Sequence, residues 1–288
     1  MSRTVYLNGE FMAEEDAKVS IFDRGYLFGD GIYEVVPVIG GLVLDRKPFV
    51  ERFDRSLREL EIAWPCSEDE LHAMIDGIIE RNELDEGIVY MQVTRGVADR
   101  DFHYPADTPT TLMAFHQVKS LLNNPKAESG VKVVTVDDIR WKRRDVKSIA
   151  LLAQCVAKEQ AVKQGAQEGW MVEDGLVTEG TSSTSYIVKD GVIITRPLSV
   201  EVLPGIRRKV LLRLAEEHQI KVELRAFTPE EAKSADEAFL SSASTFVLPI
   251  VEIDGVTIGG GVPGPLAKRM REVYIDTALK IATEEAAA

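Results

Sequence analysis

The chain has 288 residues, is 45% hydrophobic and 28% charged, and carries a formal net charge of −13. This composition is that of a globular protein rather than a disordered one, and the length predicts about two domains. The acidity argues against nucleic acid or an anionic membrane surface as a partner, since both call for a basic face.

Val5-Tyr6-Leu7, Asn8-Gly9 and Glu10-Phe11-Met12 read as a hairpin, and Val35 to Ile39, Gly40-Gly41 and Leu42 to Leu44 as a second one. From Pro48, Phe49, Phe53, Leu57 and Leu60 fall on one face of a helical period. Ser67-Glu68-Asp69-Glu70 is a capping box, followed by the stripe Leu71, Met74, Ile75, Ile78 and Ile79. Ile88 to Thr94 and Thr111 to Val118 are strand-like. Residues 1–118 are therefore expected to form a smaller α+β domain and 119–129, with Asn124-Pro125, a linker. Residues 130–288 are expected to form a larger, strand-rich α/β domain. In it, Val131 to Val136 reads as a strand and Ser148 to Gly165 as a helix ending on glycine. Asp174-Gly175, Asp190-Gly191 and Asp254-Gly255 read as tight hairpins. One helix is expected near Gly205, and another at Thr228-Pro229-Glu230-Glu231, with Thr as N-cap and Pro at N1. The tail Thr283 to Ala288 is expected to fray.

Cys66 and Cys155 match no metal or redox spacing and are expected as reduced core thiols of a cytoplasmic protein. His72, His103, His116 and His218 form no zinc motif, so no metal is expected. The N-terminal decapeptide has no apolar stretch, so no secretory signal is expected. No run reaches the roughly 18 apolar residues of a membrane span.

Lys147 ends the run Arg140-Trp141-Lys142-Arg143-Arg144-Asp145-Val146-Lys147, and Glu179 opens the small-residue stretch Gly180-Thr181-Ser182-Ser183. A lysine among cations is pushed toward the neutral amine, a nucleophile able to form a Schiff base. Together the two suggest a pyridoxal-phosphate site, with lysine on the aldehyde and acid on the pyridine nitrogen; taken singly they also read as surface charges. Asp23 to Glu34 is dense in glycine, aromatic and acid, and reads either as a turn-rich loop or as part of such a site. Arg52 reads either as a solvated helix charge or as an anion ligand. Gly205-Ile206-Arg207 reads either as an anion site at a helix N-terminus or as a plain N-cap. Ser241-Ser242-Ala243-Ser244-Thr245 reads either as hydroxyls for the same phosphate or as a cap.

The segments DRGYLFGDGIYE, RWKRRDVKS, VTEGTSS, LPGI and SSASTFVLPIVEIDG stand in this order from about Tyr6 to Gly255. In order and spacing the chain resembles the class IV (fold type IV) pyridoxal-phosphate-dependent aminotransferases, and within them the branch acting on D-amino acids. The resemblance implies a two-domain α+β fold with the active site at the domain interface, and a homodimer. It implies Lys147 as Schiff-base lysine and proton shuttle, and Glu179 as partner of the pyridine nitrogen, kept ionised by Arg140. Arg52, the backbone N–H groups of Ile206 and Arg207, and Ser242 would hold the phosphate, with Leu203 on the ring face and Ser182 nearby. Tyr33 and Arg100 would face the substrate, Arg100 trapping its carboxylate. The chain departs from the family's pattern at several points: His103 comes one position late after Arg100, Arg207 replaces a threonine, Ala243 a hydroxyl residue and Thr184 an asparagine. These changes predict weaker cofactor retention, with Arg207 adding charge at the phosphate.

The implied activity is ping-pong transamination of D-amino acids (D-alanine, D-glutamate or D-aspartate) with 2-oxo acids. Alternatives on the same fold are an (R)-amine transaminase, a branched-chain L-amino-acid transaminase and an aminodeoxychorismate lyase. A non-catalytic cofactor-binding protein is the rival from another class. Tyr33 and Arg100 favour the D-amino-acid reading.

Overall fold

Two-residue turns and alternating apolar residues build the first sheet. The computed structural model describes residues 2–287. The chain divides into two compact units. One is Met1–Ser120 with Val146–Ala150 and Leu279–Ala288; the other is Leu121–Asp145 with Leu151–Ala278. The expected second domain, 130–288, thus differs in membership. Val146–Ala150 groups with the first unit because it pairs with a strand there, and the end of the last helix also groups with that unit.

The first unit holds β1 (Thr4–Leu7), β2 (Glu10–Ala13), α1 (Arg24–Phe28), β3 (Gly31–Ile39), β4 (Leu42–Val43), α2 (Arg46–Glu59), α3 (Glu68–Arg81), β5 (Glu86–Thr94) and β6 (Thr111–Val118). Its antiparallel sheet has the order β2-β1-β6-β5-β3-β4. β3 and β5 pair from Gly31↔Thr94 to Ile39↔Glu86. α2 packs on β3 through buried Phe49, Phe53 and Leu57. α3 packs on β1 and β6, and its capping box is formed: Glu70 N donates to Ser67 Oγ at 3.2 Å and Ser67 N to Glu70 Oε2 at 2.7 Å. Within Asp23 to Glu34, Asp23 caps α1, Gly29 closes it in the left-handed region, and the rest enters β3.

The second unit holds α4 (Pro125–Ser129), β7 (Val131–Asp137), α5 (Leu152–Lys163), β8 (Glu168–Glu173), β9 (Leu176–Gly180), β10 (Thr184–Lys189), β11 (Val192–Thr195), α6 (Ile206–Glu217), β12 (Val222–Leu224), α7 (Pro229–Lys233), β13 (Glu237–Ser242), β14 (Phe246–Ile253), β15 (Val256–Thr257) and most of α8 (Pro265–Ala286). Its mixed sheet runs β12-β11-β10-β13-β14-β7-β8-β9, with β15 on β14. The Asp-Gly pairs close β8–β9, β10–β11 and β14–β15 with both residues at positive φ, 51° and 76° at Asp174-Gly175, as the twist of a hairpin favours. Trp170, Val177, Ile187, Phe227, Leu240 and Ile250 form the main core. Val134, Val136 and Met171 meet Ala157 and Ala161 of α5. Each large apolar side chain contributes about 1.5–3 kcal/mol on burial.

Four local expectations are corrected. The helix expected from Ser148 starts at Leu152, because Ser148 bridges to Ile32 and extended backbone cannot also be helical. The linker contains α4, capped by Asn124 with Pro125 at N1. The tail expected to fray continues α8 to Ala286, while Ala288 lies outside the described residues. The cysteines are free but not core residues: Cys66 is half-buried and Cys155 exposed. Among the described residues, no helix is long and apolar enough to cross a membrane.

Candidate active site

In the first unit, Lys147 is held by its backbone. Tyr33 N donates to Lys147 O at 3.0 Å and Ile149 N to Gly31 O at 3.1 Å, on either side of the Ile32–Ser148 bridge. Gly31 permits this approach, since a Cβ there would lie 2.5 Å from Val93 O and 3.0 Å from Ile149 Cδ1. The segment therefore extends the edge of β3, and Lys147 Nζ sits 4.1 Å from the Tyr33 ring centroid. Among the described residues no carboxylate pairs with Nζ. Tyr33 stacks on Tyr90, and Tyr90 on Phe115, at 5.6 and 4.9 Å between centroids. Burial pushes the Tyr90 phenol well above the ordinary tyrosine range.

The cationic crowding expected from the run that ends at Lys147 does not form as the sequence suggested, because each cation that precedes Lys147 in the run meets an acid. Arg140 pairs with Asp138 and Glu179, Lys142 with Glu173, Arg143 with Asp145, and Arg144 with Asp138 and Glu173. These carboxylates cancel locally what a count of basic residues adds up.

Adjacent residues on a strand face opposite ways, so Glu34 turns from Tyr33 toward α2. There Arg52 Nε and Nη2 donate to its two carboxylate oxygens at 2.8 and 2.7 Å. Arg52 is 8% exposed and Glu34 is 0% exposed, so Arg52 is not a solvated helix charge. Glu34 escaped the sequence reading, although it closes the quoted segment Asp23 to Glu34. Arg24 and Arg95 share Asp30 at 2.7 and 2.8 Å. Arg24 Nη1 also donates to Asp101 O at 2.6 Å and His103 O at 3.3 Å. That shapes an irregular loop, not a strand, so the late position of His103 does not flip it across a sheet. Arg100 and His103 are exposed on this loop, Arg100 lying 5.5 Å from the Phe28 and Phe102 ring centroids.

In the second unit, Glu179 lies on β9 and is 5% exposed. Arg140 Nη1 donates to its carboxylate, and Leu203 N donates to Oε1 and Oε2 at 3.3 and 3.2 Å. Burial pushes the Glu179 carboxyl above the ordinary glutamate range, against the pull of Arg140 and the Leu203 amide. Burial also weakens the Arg140 charge, but Asp138 and Glu179 outweigh it and hold the guanidinium firmly protonated. After Glu179 the chain turns over a buried carboxylate that the sequence reading missed. Thr181 Oγ1, Ser182 Oγ at 3.3 Å and Ser183 Oγ at 3.5 Å all donate to Glu168.

Further along the second unit, α6 begins at Ile206 after Gly205, which offers no side-chain cap. First-turn N–H groups and the helix dipole favour an anion. Arg208 is buried; its Nη2 donates to Arg196 O at 3.0 Å and its Nε has no partner among the described residues. Burial pulls its proton affinity below the ordinary arginine value. Arg207 turns into the core, where Nε donates to Tyr274 Oη at 3.0 Å. Ser242 Oγ pairs with Thr245 Oγ1 at 2.8 Å, and Ser241 Oγ with Tyr186 Oη at 2.9 Å.

Residues 31–253 match the family described as amino-transferase class IV. Over 272 residues, 94% of this chain and 96% of the relative, the chain is 41% identical to the D-alanine aminotransferase of Staphylococcus aureus (strain N315). It is similar to the solved branched-chain amino acid aminotransferase of T.th. with pyridoxamine 5′-phosphate. That likeness has a TM-score of 0.90 and 26% identity, over 96% of this chain and 94% of the other. The Escherichia coli branched-chain amino acid aminotransferase matches with a TM-score of 0.90 and 24% identity, over 96% and 95% of the two chains, a likeness of fold alone.

Proposed function

The chain belongs to the class IV aminotransferases and has their fold type IV architecture, and we propose on that premise that it transaminates D-amino acids, D-alanine foremost, with 2-oxo acids. It would do so with pyridoxal 5′-phosphate, as a homodimer in the cytoplasm. The observation that carries the reading is Lys147: an amine fixed by two flanking backbone bonds and bound to no carboxylate among the described residues. The extent of identity to a D-alanine aminotransferase supports the substrate class.

The donor set fits the cofactor. Lys147 Nζ would hold its aldehyde carbon, and Glu179 would accept from its ring nitrogen. Ile206 N, Arg207 N, Ser242 and Arg52 would take the phosphate, with Leu203 on the ring face and Ser182 nearby. The uncapped start of α6 and the unpartnered Nε of buried Arg208 support an anion there. When bound, pyridoxal phosphate supplies an electron sink for the substrate's Cα–H bonding pair. Lys147 Nζ removes the Cα proton and later delivers it two bonds away, to the carbon beyond the substrate nitrogen, acid–base help worth about 10²–10⁴ in rate. Glu179, braced by Arg140, sustains a positive charge on the ring nitrogen. Tyr33 orients the amine beside Nζ, while Arg100 and His103 take the substrate carboxylate.

Phe22, Tyr26, Phe102 and Tyr104 are each exposed, and so many large apolar side chains near Arg24 and Arg100 in the sequence support a homodimer. Light scattering tests it; a monomer at micromolar concentration would refute it. The decisive experiment mixes the holoenzyme with D-alanine, L-leucine, (R)-1-phenylethylamine or aminodeoxychorismate and follows cofactor absorbance. D-alanine should react fastest, and Lys147→Ala should abolish the change. Faster reaction with L-leucine, or near-normal turnover by Lys147→Ala, overturns the reading.

A further inference from the structure

Asp138 carries no role in the reading above, yet it is the most heavily bonded carboxylate near Glu179. Its side chain is 0% exposed. It accepts from Arg140 Nε at 2.9 Å, Arg140 Nη2 at 2.7 Å and Arg140 N at 3.2 Å. Thr178 Oγ1 donates to it at 2.6 Å, and Arg144 Nη1 lies 3.2 Å away. A guanidinium is planar, with its donors in a fixed fork. Once Asp138 occupies the Nε–Nη2 edge, rotation of the fork is blocked and Nη1 is the nitrogen left to reach Glu179.

We propose that Asp138 is a positioning residue for transamination: it locks Arg140 so that Nη1 is spent on Glu179, and thereby governs how firmly Glu179 keeps its charge. The proposal rests on Glu179 being the partner of the cofactor's ring nitrogen. Two effects of Asp138 oppose each other. As a like charge it disfavours ionised Glu179, while as an anchor it delivers Arg140 to Glu179. A charge-assisted hydrogen bond in a buried site is strong and steeply dependent on geometry, so the anchor dominates. The other groups around the cluster are Arg144, Glu173 and Lys142, paired with one another, and the Leu203 amide.

Two conservative variants separate the effects. Asp138→Glu keeps the charge but moves the fork by a methylene; Asp138→Asn removes the like charge and, with an amide N–H2 in place of one acceptor oxygen, also loosens the fork, so that its two effects on Glu179 oppose each other. The full chain is labelled with ¹³C-glutamate, and the Glu179 carboxyl is assigned by its loss in Glu179→Gln and titrated. Asp138→Glu should raise the proton affinity of Glu179 about tenfold, one pH unit, and Asp138→Asn should change it by less than about threefold. The Asp138→Glu holoenzyme should also lose pyridoxal 5′-phosphate faster on dilution. A Glu179 titration unaltered by Asp138→Glu, or shifted as far by Asp138→Asn, overturns the proposal. Failure of the unsubstituted chain to bind pyridoxal 5′-phosphate would instead sink the functional reading, while the carboxyl titration still decides the role of Asp138.

Discussion

Arg52 and Glu34 show how a charge inside a unit is tolerated. Both are buried, and two parallel hydrogen bonds satisfy them together. Removing one partner strands the other, which costs about 3–5 kcal/mol. Glu34→Gln should therefore lower stability by about that much in urea unfolding. A change below about 1 kcal/mol, the size of an exposed pair, would mean that Arg52 finds another partner. Glu173 makes a different case. Arg144 first and Lys142 second pull its carboxyl from 4.5 down to about 2. A depressed folded-state value stabilises the protein above 4.5, and that contribution is lost as pH falls toward about 2. Glu173→Gln should cost about 1–2 kcal/mol at neutral pH and flatten the stability profile across that acid window. An acid limb of unchanged slope would remove Glu173 from its cause.

Among elements, the hairpins are the most local. Asp174 and Gly175 both sit at positive φ, at 51° and 76°. A side chain with a Cβ in that region costs about 1–2 kcal/mol, whatever surrounds it. Gly175→Val should lose at least that in thermal or urea unfolding, although no atom lies within 4 Å of a Cβ placed there. A neutral outcome would mean the β8–β9 turn refolds into another type. β9 then carries Glu179 into the core, so this turn also holds Glu179 in register. A one-residue slip would turn Glu179 to the other face.

At the scale of the whole molecule, cofactor retention gathers the chain's departures from the family's pattern. Arg207 stands where a threonine was expected, and its guanidinium turns to Tyr274 of α8 rather than adding charge outward. Ser242 is paired with Thr245, and Ala243 adds no hydroxyl. In the proposed site the phosphate would therefore have little side-chain help from the hydroxyl loop. Extensive dialysis should remove pyridoxal 5′-phosphate measurably, and full retention would contradict this. Re-adding it at about a hundred times its dissociation constant should stabilise the fold by about 2.7 kcal/mol, read as a rise in Tm.

The capping box at Ser67, the Asp-Gly hairpins, the caps at Thr228 and Gly205, and the helical stripe of Phe49, Phe53 and Leu57 were all legible in the sequence. Each depends on residues within a turn or two of one another, where backbone sterics and local hydrogen bonds decide. The resemblance in motif order likewise determined the family. Apart from Arg140 with Glu179, which the resemblance implied, the pairing of charges was not legible, because it depends on strand register between distant segments. Only the tertiary structure tied Lys147 to β3, gave Arg52 to Glu34, neutralised the cations of the Arg140 run with Asp138 and Glu173, and gathered three hydroxyls on Glu168. A charge in sequence is a formal count. Its proton affinity and its direction are set by the partner that folding brings within 3 Å or so, the reach of a hydrogen bond.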